Sequence, residues 1–257
     1  MTLCLLLVPK LSYGAIAAVG GQNKGEESTA SGGLGTLAFA GNVTTGNTII
    51  IAIAVLGTAA PNITAPTKSA GTATLGTITS DTSYSNEDVP STTYFEISVY
   101  HAYVTAGGSC TITINGTYNG GGVAMIDEFS GMATSSPVNG TPVSNNGTNA
   151  IENPGAISTN NGGMALMVST DYSSGNGSYT QTNTNIYKIA TGASTNTGEG
   201  QYDLTAAGGS QTVTATVGGG MSISYWIAAG VAYNQASAST SNIYINNAQI
   251  NNAKLGF

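Results

Sequence analysis

The sequence predicts an all-β protein, folded as an antiparallel, jelly-roll-like β-sandwich of about ten strands. Its apolar segments are short, rich in β-branched and aromatic residues, and separated by clusters of Gly, Asn and Ser. The chain contains 36 glycines and many Ser, Thr and Asn residues, which are poor helix formers. A hydrophobic content of 40% over 257 residues is enough to build a core, so we expect a folded chain.

Ten segments carry the strand pattern, and they lie at residues 15–19, 34–40, 48–56, 93–104, 110–114, 123–129, 164–170, 185–190, 211–217 and 222–233. Segment 48–56 is apolar at both alternate sets of positions, which predicts a central strand covered on both faces, or one that contacts another subunit. In segment 93–104 the more apolar set includes Phe95, Ile97 and Val99, which we assign to the core.

Three long polar connections separate these segments, at residues 58–92, 131–161 and 171–184. Connections of this length are uncommon in compact domains unless they bind something. We therefore expect any recognition surface of the domain to lie there.

The chain divides into four parts by composition. Residues 1–14 form an apolar arm or strand, 15–233 the β-sandwich domain, 234–242 a Ser-rich flexible linker, and 243–257 a repetitive tail. No basic residue precedes the apolar run at residues 3–8, unlike in an ordinary secretory signal. A truncated or atypical signal is the alternative, so processing of the N-terminus stays open.

Charge and cysteine content exclude several classes of function. The net charge is −7, and the five basic residues are scattered lysines, a composition that excludes nucleic-acid binding. Cys4 and Cys110 are too far apart to define a disulfide framework, and we expect both thiols to be unpaired. The longest apolar run falls well short of the roughly 20 residues of a membrane-spanning helix, so no transmembrane segment is expected.

The residues needed for common catalytic sites are missing, and we expect no enzymatic activity. His101 is the only histidine, and it falls on the apolar side of a strand pattern, which predicts a buried, hydrogen-bonded histidine. Asp127 and Glu128 are adjacent on a strand and point to opposite faces, the wrong geometry for a paired glycosidase site. We expect one of these acids to hydrogen-bond a loop and the other to face solvent.

An acidic segment, "DTSYSNED", offers the one candidate for a metal ion. Asp81, Glu87 and Asp88 could supply oxygen ligands to Ca²⁺ if the segment is a loop. The alternative is a solvated polar loop without metal. No other cofactor is expected.

Four tyrosines are candidates for contact with a glycan. Tyr84, Tyr118, Tyr172 and Tyr179 fall among Asn, Ser and Gly in segments expected to be loops. Sugar rings stack on aromatic side chains while their hydroxyls bind amide and carboxylate groups. The alternative is that these tyrosines are ordinary β-sheet surface.

The order of segments between residues 12 and 233 resembles a β-sandwich domain of bacteriophage virion proteins and some bacterial surface proteins. The matching pieces are "YGAIAAVGG", "VTTGNTIIIAIAV", "TITIN", "GVAMIDEFSGM" and "SISYWIAAGVAY". The resemblance covers most of the chain and consists of strand patterns. It implies a fold and a setting, and it carries over no catalytic or ligand residue.

The tail "YINNAQINNAKLGF" is similar to the Ile-x-Asn-Ala repeats near the ends of phage tail-fibre proteins, where such segments support trimeric assembly. Ile245, Ile250 and Leu255 form an apolar series spaced five residues apart. A tail outside the sandwich cannot easily bury these side chains alone, so we expect them to contact another copy or another virion protein.

These observations together favour a non-enzymatic structural protein on the exterior of a virion, a phage fibre or capsid decoration component. We expect a homo-oligomer, with a trimer favoured. One alternative is a lectin-like module that binds host glycans. Another is an exported adhesin or filament subunit at a cell surface.

Overall fold

The structure is a computed structural model that describes residues 15–22, 24–28, 34–88, 92–174, 178–181, 186–189, 196–204, 208–218 and 222–237. The described residues contain twenty β-strands and no helix, and the sheets are antiparallel and pack face to face. The predicted all-β sandwich is therefore confirmed. The predicted arm at 1–14, Cys4 and the tail residues Ile245, Ile250 and Leu255 lie outside the described residues.

The first half of the chain contributes ten strands. They are β1 Ala17–Ala18, β2 Lys24–Ser28, β3 Thr36–Ala38, β4 Thr48–Gly57, β5 Asn62–Ala70, β6 Thr74–Leu75, β7 Thr79–Asp88, β8 Thr93–Ala106, β9 Thr111–Thr117 and β10 Gly122–Ser130.

The second half contributes the other ten. They are β11 Val143–Gly147, β12 Ile151–Glu152, β13 Ile157–Thr159, β14 Met164–Ser174, β15 Ser178–Gln181, β16 Ile186–Ile189, β17 Asn196–Leu204, β18 Gly209–Gln211, β19 Ala215–Gly218 and β20 Ser222–Tyr233.

The first half forms a two-sheet sandwich. Its large sheet has the central order β10-β4-β8, with β1 and β2 along the outer edge of β10 and β6 and β7 along the outer edge of β8. Its small sheet has the order β3-β9-β5. The chain passes back and forth between two sheets, as in a jelly roll.

The second half repeats this strand order. Its large sheet is β11-β20-β14-β17-β16, and its small sheet consists of β12-β19-β15 and the separate pair β13-β18. In the large sheet of the second half, β14 takes the place of β4 and β20 takes the place of β10. The other strands of this sheet pair in the same order as their counterparts in the first half. The chain is thus two sandwiches of one topology in tandem.

The two large sheets pack against each other through one apolar layer, which we call the shared layer. From the first half it includes Ile50, Ala54, Ile97 and Met125, and from the second half Leu166, Val168 and Ile227. Each sandwich also has its own interior, between its large and small sheets. The described residues therefore form four sheet layers with three buried apolar clusters between them.

The burial of strand β4 explains why its residues 49–56 are all apolar. All ten of its residues are buried. Ile50, Ala52 and Ala54 face the shared layer, whereas Ile49 and Ile51 face the interior of the first sandwich. The predicted central strand covered on both faces is confirmed, and the cover on one side is the second half of the same chain.

The predicted long loops are wrong for much of their length. Segment 58–92 contains β5, β6 and β7, and segment 131–161 contains β11, β12 and β13. Strand β14 also continues to Ser174, inside the third predicted loop. Strands β5, β7 and β11 are rich in Ser, Thr and Asn because they lie on a small sheet or at a sheet edge, where one face meets water. The strand count is therefore about twice the expected ten.

Two smaller features also bear on the predictions. Cys110 is a buried free thiol directly before β9, as expected. The first residues of the predicted linker are tied to the segment that directly follows β10, since the Ala236 N–H donates to the Gly131 carbonyl at 2.7 Å and Met132 forms a β-bridge with Gln235.

A truncation in the shared layer tests its packing. Ile97 is fully buried there, so Ile97→Ala should lower the free energy of unfolding by about 2–5 kcal/mol through lost apolar contact and a residual cavity. Chemical denaturation followed by tryptophan fluorescence measures this. The control Ala106→Ser alters an exposed residue of the same strand and should change stability by less than about 0.5 kcal/mol. A loss below about 1 kcal/mol for Ile97→Ala would mean that the layer is loosely packed.

Candidate functional site

The predicted acidic loop is strand β7, and the candidate calcium ligands do not meet. Asp81 and Glu87 lie six residues apart on an extended strand, a separation of about 20 Å. Asp81 and Glu87 bind different partners, and Asp88 is buried at the end of the strand. In the described part of the chain no three acidic, histidine or cysteine side chains are grouped to hold a metal ion. The prediction assumed a loop that turns its oxygen ligands toward one ion. In a strand, neighbouring side chains point to opposite faces, so these oxygens do not converge.

Asp81 instead joins the two sandwiches through a short polar network. One carboxylate oxygen accepts a hydrogen bond from His101 Nδ1 at 2.5 Å, and the other accepts from the Tyr233 hydroxyl at 2.6 Å. His101 is mostly buried, as predicted, with 16% of its side chain exposed. Burial, and then the nearby Asp81, raise the pKa of Tyr233 well above its usual value.

This network has only part of a catalytic triad. An aspartate does orient the imidazole, but no hydroxyl in the described residues hydrogen-bonds to His101. The second Asp81 oxygen is occupied by Tyr233, which comes from β20 of the other sandwich. The network therefore links strands β7 and β8 of the first sandwich to β20 of the second, and we call it the tie at Asp81.

Asp127 and Glu128 point to opposite faces of β10, as predicted. Glu128 Oε1 accepts hydrogen bonds from the Thr44 N–H at 2.7 Å and from Asn47 Nδ2 at 2.6 Å, which confirms that one acid holds a loop. The expectation that the other faces solvent is wrong, because Asp127 is only 2% exposed. Burial raises the pKa of Asp127 to about 7.

The four tyrosines proposed for glycan contact are not gathered in one place. Tyr84 on β7 and Tyr172 on β14 pack half-buried against the shared layer. Tyr118 packs against the interior of the first sandwich. Tyr179 lies on β15 opposite Val217, and its side chain is not described. Tyr84, Tyr172 and Tyr179 are strand residues, so their assignment to loops is wrong.

The structure has an open cleft on the first sandwich, which we call the β5–β7 cleft. Its volume is about 430 Å³. The residues that matter to its chemistry are Pro61, Asn62, Ser85, Glu87, Tyr94 and Glu96. Pro61 directly precedes β5 and Asn62 begins it, whereas the other four lie on β7 and β8.

The cleft exists because the two sheets of this sandwich differ in width. The small sheet ends at β5, while the large sheet continues past β8 to β7. The inner face of β7 and the start of β8 therefore extend beyond the cover of the small sheet. Ser83 and Ser85 on that face are exposed.

Each carboxylate of the cleft accepts a hydrogen bond from an uncharged donor of the protein. Glu87 is the register partner of Tyr94 and hydrogen-bonds its hydroxyl, and this bond raises the pKa of Tyr94. Glu96 Oε2 accepts from the Ile63 N–H at 3.1 Å, which fixes β5 to β8, and Glu96 Oε1 accepts from the Ser98 hydroxyl at 3.4 Å. Burial raises the pKa of Glu96.

Sequence reasoning missed this cleft, although a signal was present. Tyr94, Glu96 and Ser98 alternate with the apolar Phe95 and Ile97 along β8. The polar residues Tyr94, Glu96 and Ser98 indicated that this face of β8 is not covered by apolar residues. The signal was hidden because Tyr100 and Ala102, on the same face, lie in the core.

The second sandwich has a polar cluster in the comparable space between its sheets, but this one is closed. Glu152, Glu199 and Gln201 are fully buried there. The Ser169 hydroxyl donates to Glu152, and Gln201 Nε2 donates to Glu199 Oε1 at 2.5 Å and to the Thr214 carbonyl at 3.1 Å. Burial, followed by the charge of Asp171, raises the pKa of Glu152 well above its usual value. These bonds link the sheets of the second sandwich.

Comparisons of the chain with models of protein families, with curated proteins and with solved structures found no significant match. Among the described residues there is no helix of the length and apolarity needed to cross a membrane.

Asp127 should make stability depend on pH. Its pKa of about 7 in the folded chain lies above the ordinary 3.8, so the folded state binds more protons between these values and stability falls as pH rises from 4 to 7. Asp127→Asn keeps the oxygen that accepts the Glu128 N–H but cannot ionise. The variant should gain stability over the wild type by up to about 4 kcal/mol between pH 4 and pH 8. Urea denaturation at several pH values measures this, and a difference independent of pH would contradict it.

The tie at Asp81 can be tested by removing one hydroxyl. Tyr233→Phe leaves a carboxylate oxygen of the nearly inaccessible Asp81 side chain without its donor, and should cost about 1–3 kcal/mol of unfolding free energy. Tyr103→Phe is the matched control, because the Tyr103 hydroxyl hydrogen-bonds to no described residue. Equal effects of the two substitutions in thermal unfolding would show that the Asp81 contact contributes nothing specific.

Proposed function

We propose that this chain is a non-enzymatic structural protein of a virion exterior, a phage fibre or capsid decoration component that assembles as a homo-oligomer. The proposal rests on the sequence resemblance of residues 12–233 and of the tail. A feature of the fold supports it. The two sandwiches bury their large sheets against each other in the shared layer, and the described surface that remains is mostly polar. A hydroxyl-rich body with a net charge of −7 suits a protein that is exposed outside a particle, because net charge keeps it soluble.

The observation that carries the assembly part of the proposal is the distribution of apolar side chains. In the described residues, Ile151 is the only large apolar side chain that is exposed. Permanent interfaces between subunits normally bury a contiguous apolar patch. The described surface offers no such patch, so contacts that hold copies together are best sought in the terminal segments. Ile245, Ile250 and Leu255 are the apolar residues there with regular spacing.

The histidine network supports a structural role as well. The only histidine of the chain is held between a buried aspartate and the opposite sandwich. This placement stabilises the junction of the two halves. The histidine therefore has a structural role that requires no substrate.

Substitutions in the tail test the proposal. The triple variant Ile245→Ser, Ile250→Ser, Leu255→Ser should remain folded but shift from oligomer to monomer, because the apolar series would no longer be buried between copies. Light scattering coupled to size exclusion measures the mass, with a trimer expected for the wild type. The control variant Asn247→Ser, Asn252→Ser changes polar positions of the same repeat and should keep the oligomer.

The outcomes separate the alternatives. A wild-type monomer at all concentrations, or an oligomer unaffected by the triple variant, would remove the support for tail-mediated assembly. Electron microscopy of the native particle addresses location. Finding the chain in a cell envelope and not on a virion would favour the adhesin or filament subunit.

A further inference from the structure

We propose that the β5–β7 cleft is a binding site for a neutral saccharide, with one pyranose ring stacked on Tyr94. This site is distinct from the four tyrosines that the sequence suggested. The proposal does not depend on the virion setting, because it concerns only the surface of the first sandwich.

The size and composition of the cleft fit a small polar ligand. Its volume of about 430 Å³ falls within the range of about 300–1,000 Å³ that is usual for small-molecule sites. The lining combines an aromatic ring, a proline, carboxylates and an amide. An apolar ligand would leave these polar groups without partners, which is costly when water is displaced.

Tyr94 provides the stacking surface. Tyr94 is half-buried and lines the cleft, and its hydroxyl hydrogen-bonds to Glu87, which restrains the ring before any ligand arrives. A fixed ring costs little side-chain entropy on binding. The C–H face of a pyranose is a natural partner for an aromatic ring, and Pro61, which also lines the cleft, offers a second apolar contact.

The electrostatics of the cleft select for uncharged sugars. Glu87 and Glu96 are the charged residues of the described lining, and no basic residue accompanies them. A sugar acid would therefore meet repulsion. A cation is a weaker candidate than a neutral polyol, because both carboxylates already accept hydrogen bonds from neutral donors in the protein. Their remaining lone pairs suit the hydroxyls of a sugar.

Glu96 has a different role from Glu87 and Tyr94. Its side chain is only 8% exposed, and its bond to the Ile63 N–H holds the start of β5 against β8. It sets the width of the cleft and is a positioning residue. Glu87 and Tyr94 are the expected ligand contacts.

The wild-type protein can be tested with a panel of simple sugars. The probes are the methyl glycosides of glucose, galactose, mannose and N-acetylglucosamine, with glucuronic acid, N-acetylneuraminic acid and tetralysine as charged comparators. We expect at least one neutral glycoside to shift amide NMR signals of residues 83–87 and 94–98, and no acidic sugar to do so. If no neutral glycoside binds, or if tetralysine binds the cleft more tightly than every sugar, the proposal is overturned.

Variants then locate the site. Tyr94→Ala should weaken binding about tenfold or more through loss of the stacking surface, whereas Tyr94→Phe keeps the ring and should remain within about threefold of the wild type. Tyr103→Ala removes a half-buried tyrosine that lines a different cleft and should leave binding unchanged. Equal losses for Tyr94→Ala and Tyr103→Ala would overturn the assignment.

Charge selectivity gives an independent readout that a folding defect would not imitate. Glu87→Gln preserves the acceptor for the Tyr94 hydroxyl but removes the charge. The variant should gain measurable binding of glucuronic acid, so that its preference for the neutral glycoside over the acid falls. If the variant, with its thermal transition unchanged, still excludes glucuronic acid, the role assigned to the charge of the cleft is contradicted.

Discussion

The apolar layer between the two large sheets is the constraint on which the rest of the structure depends. Because most of each large sheet is buried on both faces, β4 is apolar from Ile49 to Leu56, and β14 is apolar over the first half of its length. The polar residues of the chain are consequently displaced to the small sheets, the sheet edges and a few internal hydrogen-bonded clusters. This arrangement explains how a chain with only 7% charged residues can combine a large buried volume with a polar surface.

Several buried acids join strands and turns whose alignment apolar packing alone would not determine. Asp81 links β7 and β8 to β20, and Glu128 fixes the turn before β4 to β10. Glu96 and Glu152 perform similar tasks within the first and second sandwiches. An oxygen that must find a specific donor defines a register more sharply than apolar contact does, because a shift of one residue leaves it unsatisfied. The raised pKa values of Asp127 and Glu152 reflect the cost of these buried positions.

The sequence allowed the all-β class, the central role of residues 48–56 and the buried histidine to be predicted, because each depends on strong local patterns. The polar strands were missed because Ser- and Asn-rich edge strands, such as β5 and β7, look like loops when their sheet partners are unknown. The repeat of the topology was missed for a related reason. Counterpart strands share the pairing order but few residues, as the all-apolar β4 and the partly polar β14 illustrate. The β5–β7 cleft depends on the unequal widths of two sheets, a property of tertiary structure that no local pattern encodes.

The tandem arrangement of the two sandwiches resembles a symmetric dimer whose subunits have been joined by a covalent connection. In a true dimer the association would weaken on dilution, whereas a tethered partner remains at a high effective concentration at every total concentration of protein. The pairing of the halves is therefore insensitive to how much protein is present. Because the two halves are encoded separately in one chain, each is also free to diverge, and one has an open polar cleft where the other has a closed cluster of acids.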